Sequence, residues 1–203
     1  VIPPKKEELT EFQKVYFKLP VAKDSEAVAF KGFVAKFMRQ AYRREIRDSE
    51  IARMISVSKA AAGEGAPLEA HVQVVIQAVM VSPHFLFRWE LDGAPSNPKA
   101  IRRLNEYELA SRLAFFIWSS GPDDRLLDLA AKGALRKQLE SEVQRMLADS
   151  RAEALVENFA GQWLQLRNLD IVRPDKNLFP VYTPELREDM RRETELLFVD
   201  VLR

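Results

Sequence analysis

The chain has 203 residues, 47% apolar and 30% charged, the balance of a water-soluble globular protein built as one ordinary domain or two small ones. Its 31 basic and 30 acidic residues leave a formal net charge of +1, which excludes the basic footprint expected of a binder of nucleic acid or anionic membrane. With no cysteine, disulfides, thiolate metal sites, iron–sulfur clusters and covalent c-type haem attachment are all excluded within these residues.

Residues 1–25 read as an N-terminal extension. A chain that opens at Val1, with neither methionine nor signal peptide, reads as a processed product or an excised piece. Asp24 and Ser25 are placed to cap a helix running to about Tyr42, and Asp48 and Ser49 to cap a second running to about Ala61. Between them lies the densest basic cluster, Arg39, Arg43, Arg44 and Arg47, interrupted by Glu45, Asp48 and Glu50. It reads as a solvated helix end, with anion binding as the lesser alternative. A linker at 63–67 leads into an apolar helix that ends at Ser82–Pro83. Leu68, Val72, Val75, Ile76 and Val79 give it a helical stripe despite its β-branched residues. Gln73 and Gln77 interrupt the longest apolar run, and no stretch approaches the roughly 18 apolar residues of a membrane span.

Two prolines and a glycine in 92–98 mark the internal boundary. The organisation is therefore a short helical domain at 26–91, a linker at 92–103, and a longer helical domain at 104–203 that reads as truncated at its C-terminus. In the longer domain Asn105 caps a helix ending near Ser120. Pro122 opens the next, with Asp123 and Asp124 in its first turn and Gly133 past its end. Asp149 or Ser150 starts a helix over 151–167, and Thr183–Pro184 starts the last, in which Glu188 and Arg192 form an i, i+4 pair. Apolar residues keep helical spacing at Leu139, Val143, Met146 and Leu147, at Leu155, Phe159, Trp163 and Leu166, and at Leu186, Met190, Leu197 and Val201. The last set ends as an apolar face, expected to pack on a segment beyond these residues or on another chain. The fold class is all-α, an irregular multi-helix bundle of about eight helices in two packed subdomains.

The segments VMVSPHFLFRWE (79–90), LASRLAFFIWSSGPDDRLLDLAAKGAL (109–135), VQRMLADSRAEALVENFAGQWLQLRNLD (143–170) and LREDMRRETELLF (186–198) suggest a family. They resemble the paired helical domains of unknown function in multidomain, planctomycete-type c-type cytochrome-like proteins. FMRQAYRREIRDSEIARM (37–54) is similar to the opening motif of the shorter domain, with Glu45 standing where that family has a proline after the double arginine. The resemblance implies an exported, periplasmic protein in an electron-transfer or oxidoreductase context. It also implies haem c in neighbouring domains, and haem-bearing domains or subunits of the parent protein as partners. No cofactor is expected within this chain, and the resemblance carries over no catalytic residue.

His84 is the candidate cofactor-binding residue. It follows Ser82–Pro83 among Phe85, Phe87 and Trp89, where an imidazole suits an axial or distal haem ligand or a proton shuttle. The plainer reading is a histidine at a helix boundary. His71, beside Glu69, reads as a partly exposed helix residue. Neither histidine has the partner spacing of a helix-borne metal site, so no metal is expected. Asp123, Asp124 and Asp128 read as helix-start residues before they read as a proton-sharing pair, and Glu153 and Glu157 as a solvated face. The nucleophile-elbow and phosphate-loop patterns do not occur.

Phe115, Phe116 and Trp118, with Phe159 and Trp163, read as core rather than as pocket lining. Asn158, Gln162 and Gly161 stand out inside an apolar helix, and the glycine suggests close approach of another helix or of a bound group. Arg112 is expected to pair with Glu108. Three readings follow: a helical module of a cytochrome-like protein, with Trp89, Trp118 or His84 near a haem edge; a haem-free scaffolding or protein-interaction module; and a hydrolase using paired carboxylates. Cys-x-x-Cys-His motifs upstream or downstream in the parent gene separate the first two, and a pocket of paired buried carboxylates would revive the third.

Overall fold

Local capping chemistry sets most helix boundaries in the computed structural model, which describes residues 23–88, 90, 96–97 and 101–202, with side chains from Ala27 onward. The fold is all-α, with no strand among the described residues and nine helices, eight of them seven residues or longer. Residues 1–22 of the expected 1–25 extension, the side chains of Asp24 and Ser25 that would cap α1, Trp89 and most of the 92–103 linker lie outside the description.

The chain divides into two compact units, Val1–Leu91 and Asp92–Arg203. In the first unit α1 is Lys23–Tyr42, α2 Asp48–Ala62, α3 Leu68–Met80 and α4 the single turn Pro83–Leu86. The start of α2 is fixed by Glu50, whose carboxylate accepts from the Arg47 N–H at 3.0 Å. Ser82 caps α4 by accepting from the His84 N–H, and Pro83 fills a first-turn position where its missing N–H is no loss. Phe30, Val34, Met38 and Tyr42 of α1 meet Ile51 of α2 and Val72, Val75 and Val79 of α3 in one core. The valine triplet confirms that the β-branched stretch is a buried helix and not a strand.

In the second unit α5 is Glu106–Trp118, α6 Asp124–Ala131, α7 Leu139–Ala148 and α9 Pro184–Leu202. Between α7 and α9 runs an irregular helix, α8, at 153–163, composed of Glu153–Leu155, a π-helical turn Val156–Ala160 and Gly161–Trp163. Asn105 caps α5 in a reciprocal box: its side chain accepts from Glu108 N–H at 2.9 Å while Glu108 accepts from Asn105 N–H at 2.8 Å. Helix α6 starts two positions later than the sequence suggests, at Asp124 rather than Pro122. Asp123 is its cap, accepting from Leu126 N–H at 2.9 Å, rather than a first-turn residue. Gly133, just past α6, takes φ +62, a left-handed value that favours glycine. Ala110, Ala114, Ile117 and Trp118 of α5 pack with Leu126 and Ala130 of α6, Leu135, and Met146 of α7 to form this unit's core.

Candidate functional site

Buried charge in the second unit is spent internally. Glu142, with no exposed surface, accepts from Arg125 Nε at 2.8 Å and from Arg145 Nε at 2.8 Å. Burial alone would raise its pKa. The hydrogen bonds from Arg125 and Arg145, and their charges, outweigh that effect and hold the carboxyl below its ordinary value. Arg145 continues to Asp123 Oδ2 at 2.9 Å, and Arg151 reaches the same oxygen at 3.7 Å while pairing with Asp149 at 2.7 Å. Asp123 and Glu142 thus share one arginine, Arg145. A carboxylate held ionised by two guanidiniums is no proton donor, and this arrangement gives the hydrolase reading no support.

Glu108 pairs with Arg102, upstream of the helix, at 2.7 Å. In the last helix the acid–base pairs run at i, i+3, Glu188 with Arg191 and Arg192 with Glu195, in place of the expected Glu188–Arg192 pair.

The arginine cluster of the first unit is likewise not a bare solvated end. Arg43 adopts φ +56, and its guanidinium donates to the carbonyls of His84 at 3.0 Å and Phe87 at 2.9 Å. It satisfies orphan carbonyls at the end of α4, a task that depends on tertiary placement and has no local signal. Burial, and then the charge of Arg88, lower its pKa. Arg44 clamps Glu50 through two bonds of 2.7 and 3.0 Å.

His84 lies on that short helix with its ring exposed, 5.3 Å from the Tyr42 ring centre at a 49° tilt. Phe85 and Phe87 beside it are exposed too, so they do not wall the imidazole in. Trp118 is 3% exposed, and its indole N–H donates to the Met146 carbonyl at 3.0 Å, which makes it a core residue. Among the described residues no cluster of histidine and carboxylate has the makings of a metal site, and no helix is long and apolar enough to cross a membrane.

The aromatic expectation fails for three residues. Phe116, Phe159 and Trp163 are 60%, 44% and 65% exposed. For Phe159 and Trp163 the cause is the π-helical turn: it adds one residue to a turn, so the buried positions step by five, from Leu155 and Val156 to Ala160 and Gly161, and both rings rotate outward. Phe116 lies on the exposed side of the regular helix α5. Phe159 stands at the centre of a row of rings. Its ring centre lies 6.1 Å from Phe116, edge-on, 5.7 Å from Trp163, stacked, and 6.3 Å from Phe198 of α9. Asn158 ties this turn to the end of α5 by donating to Ser119 Oγ at 2.9 Å, and Ser119 itself has φ +51. Gly161 is not needed for close approach: a Cβ there would meet only the Val156 carbonyl oxygen, at 3.9 Å. Leu196, Leu197 and Val201 leave an apolar face of α9 open among the described residues. Periodicity could not reveal the patch, because it assumes 3.6 residues per turn. A π turn nevertheless had one sign, the polar Asn158 and Gln162 inside an apolar run.

An all-α protein of two units, with structural ion pairs inside and aromatic rings outside, is the class these features define. Residues 104–203 match the family model PSD4, protein of unknown function (DUF1592), and residues 29–90 match PSD5, protein of unknown function (DUF1595). The chain thus carries two paired helical domains of unknown function. No curated protein and no solved structure matches it.

Proposed function

We propose that the chain is the helical module of an exported, periplasmic multidomain protein of the c-type cytochrome-like kind. It serves an electron-transfer or oxidoreductase context by docking a haem-bearing domain or subunit. One observation carries the docking role: the row Phe116–Phe159–Trp163, exposed and backed by the half-buried Phe198, centred on a helix distorted by a π turn. Aromatic side chains offer large rigid contact area at small entropic cost, and tryptophan and tyrosine dominate binding energy at protein interfaces. π turns are frequent at functional sites. The haem-bearing nature of the partner is supported by the sequence resemblance. With no cysteine in the chain, haem c held by thioether links belongs to other domains. His84, exposed on α4 against the Tyr42 ring, faces outward toward where a partner's cofactor edge would dock.

The same patch suits a haem-free scaffold, and an absorption spectrum separates the two readings. Protein purified from its native source, followed through the polypeptide containing these residues, is expected to show a Soret band and a positive pyridine haemochrome assay. Intact mass then tells whether the haem is on the same chain or on a co-purifying one. A colourless preparation with no haem-bearing companion overturns the cytochrome context.

A further inference from the structure

Helix α9 keeps one side against its unit and leaves the other bare. Arg191 is tied to Asp170 at 2.6 Å, and Phe198 meets the Phe159 ring with centres 6.3 Å apart. Those contacts fix the rotation of the helix, and they leave Leu186, Met190, Leu197 and Val201 exposed by 37%, 41%, 65% and 77%. At about 100° per residue the four fall in one stripe about 60° wide, roughly a quarter turn from Phe198. The stripe is a second surface, separate from the aromatic row that Phe198 backs.

A row of charge runs beside it. Asp189, Glu193 and Asp200 are exposed and lie about 70° round the helix from the stripe, on the side away from Phe198. None of these carboxylates has an ion pair or hydrogen bond among the described residues, although neighbouring charges pair, Glu188 with Arg191 and Arg192 with Glu195. An apolar stripe on a helix surface is complemented by a second helix whose apolar residues repeat at the same spacing, and the charges at its edges choose the partner. Here the acid row sets the sign. A second copy docked antiparallel about a two-fold axis would bring this row against itself, because each flank then meets its own counterpart. Like charges facing across an interface oppose that pairing, and they oppose an anionic lipid surface in the same way.

We propose that α9 docks an amphipathic helix of a partner protein whose apolar stripe is edged by lysine or arginine. Leu186, Met190, Leu197 and Val201 form the seam, and Asp189, Glu193 and Asp200 meet the basic edge. The inference goes beyond the docking of a haem-bearing domain on the aromatic row and does not depend on it.

The test titrates the full chain with a helical peptide of about 20 residues, leucine at the a and d heptad positions and lysine elsewhere. A twin peptide carries glutamate in place of every lysine, and amide shifts are followed by ¹H–¹⁵N spectroscopy. The lysine peptide is expected to shift Leu186, Met190, Glu193, Leu197 and Val201 saturably, and the glutamate peptide to bind at least about tenfold more weakly. The triple variant Asp189→Asn/Glu193→Gln/Asp200→Asn should weaken the lysine peptide by roughly tenfold, the sum of three solvent-touched ion pairs. Leu197→Ser/Val201→Ser should abolish its binding, with far-UV circular dichroism showing that both variants keep their helix content. Trp163→Ser, in the aromatic row, should leave it unchanged, so failure here and failure of the haem-docking reading are read from different variants. Absence of shifts on α9, equal binding of the two peptides, or indifference to the triple variant overturns the proposal. A dimer in sedimentation velocity that Leu197→Ser dissolves would assign the face to a second copy and overturn it. Pelleting with phosphatidylglycerol vesicles that the same variant abolishes would assign it to a lipid surface and overturn it too.

Discussion

The guanidinium of Arg151 lies 3.5 Å from the centre of the Trp118 ring, and that of Arg145 lies 5.5 Å from it. One buried indole therefore serves as the platform on which two arginines of the Glu142–Asp123–Asp149 network are laid. The tryptophan is both core and electrostatic support, since a cation over an aromatic face gains about 0.5–2 kcal/mol depending on desolvation. Trp118→Phe keeps a ring but loses the N–H to the Met146 carbonyl, and is expected to destabilise the second unit by about 1–2 kcal/mol. Trp118→Ala should cost about 3–5 kcal/mol through the cavity it leaves. Urea unfolding followed by far-UV circular dichroism measures both.

Glu142→Gln removes the charge on which Arg125 and Arg145 converge. Breaking a fully buried pair costs about 3–5 kcal/mol. Solvent reaches the arginines here, so about 2 kcal/mol is expected, again read from urea unfolding. A change within experimental error would mean that the pair is solvent-screened.

Acid sensitivity follows from Glu50, whose carboxyl falls from an ordinary 4.5 to about 2. The hydrogen bond from Arg44 is the main cause, burial opposes it, and the Arg47 N–H adds to it. Because the folded pKa lies below the unfolded one, this stabilisation is complete above about pH 5 and fades as pH falls toward 2. Glu50→Gln should therefore destabilise the first unit at neutral pH, by about 1 kcal/mol or less for so solvated a pair. Near pH 2 it should make no difference. Thermal unfolding across that range checks the sign.

Two glycines predict opposite outcomes for the same substitution. Gly133→Ala forces a side chain into φ +62 and should cost about 1 kcal/mol, with no steric clash to add to it. Gly161→Ala, at φ −57 and with its nearest neighbour 3.9 Å away, should stabilise by up to about 1 kcal/mol. A large loss at Gly161 would restore the close-approach expectation that the geometry removes.

Helix positions and caps were legible because they depend on local chemistry. Asn105, Asp149 and Thr183 accept bonds from N–H groups two or three residues on, and each stands where its residue type alone places a cap. The valines of α3 were legible as buried because their stripe is regular. The candidate patch was not, since reading Phe159 and Trp163 as core assumes an unbroken α-helix, and the π turn at Val156–Ala160 invalidates that assumption. Pairings across the chain, such as Arg43 with the carbonyls of α4 or Arg125 with Glu142 seventeen positions on, depend on tertiary placement and leave no local mark.

The docking claim is tested most directly by immobilising the wild-type chain and a Phe159→Ser/Trp163→Ser variant, then passing the native periplasmic fraction over both. Phe159 also loses its ring contacts with Phe116 and Phe198, so unfolding stability should fall by about 1–2 kcal/mol, and far-UV circular dichroism checks that the variant stays folded. Wild type should retain a polypeptide with a Soret band that stains for haem, and the variant should lose it. Equal retention by both, or no haem-bearing polypeptide on either, would contradict the account.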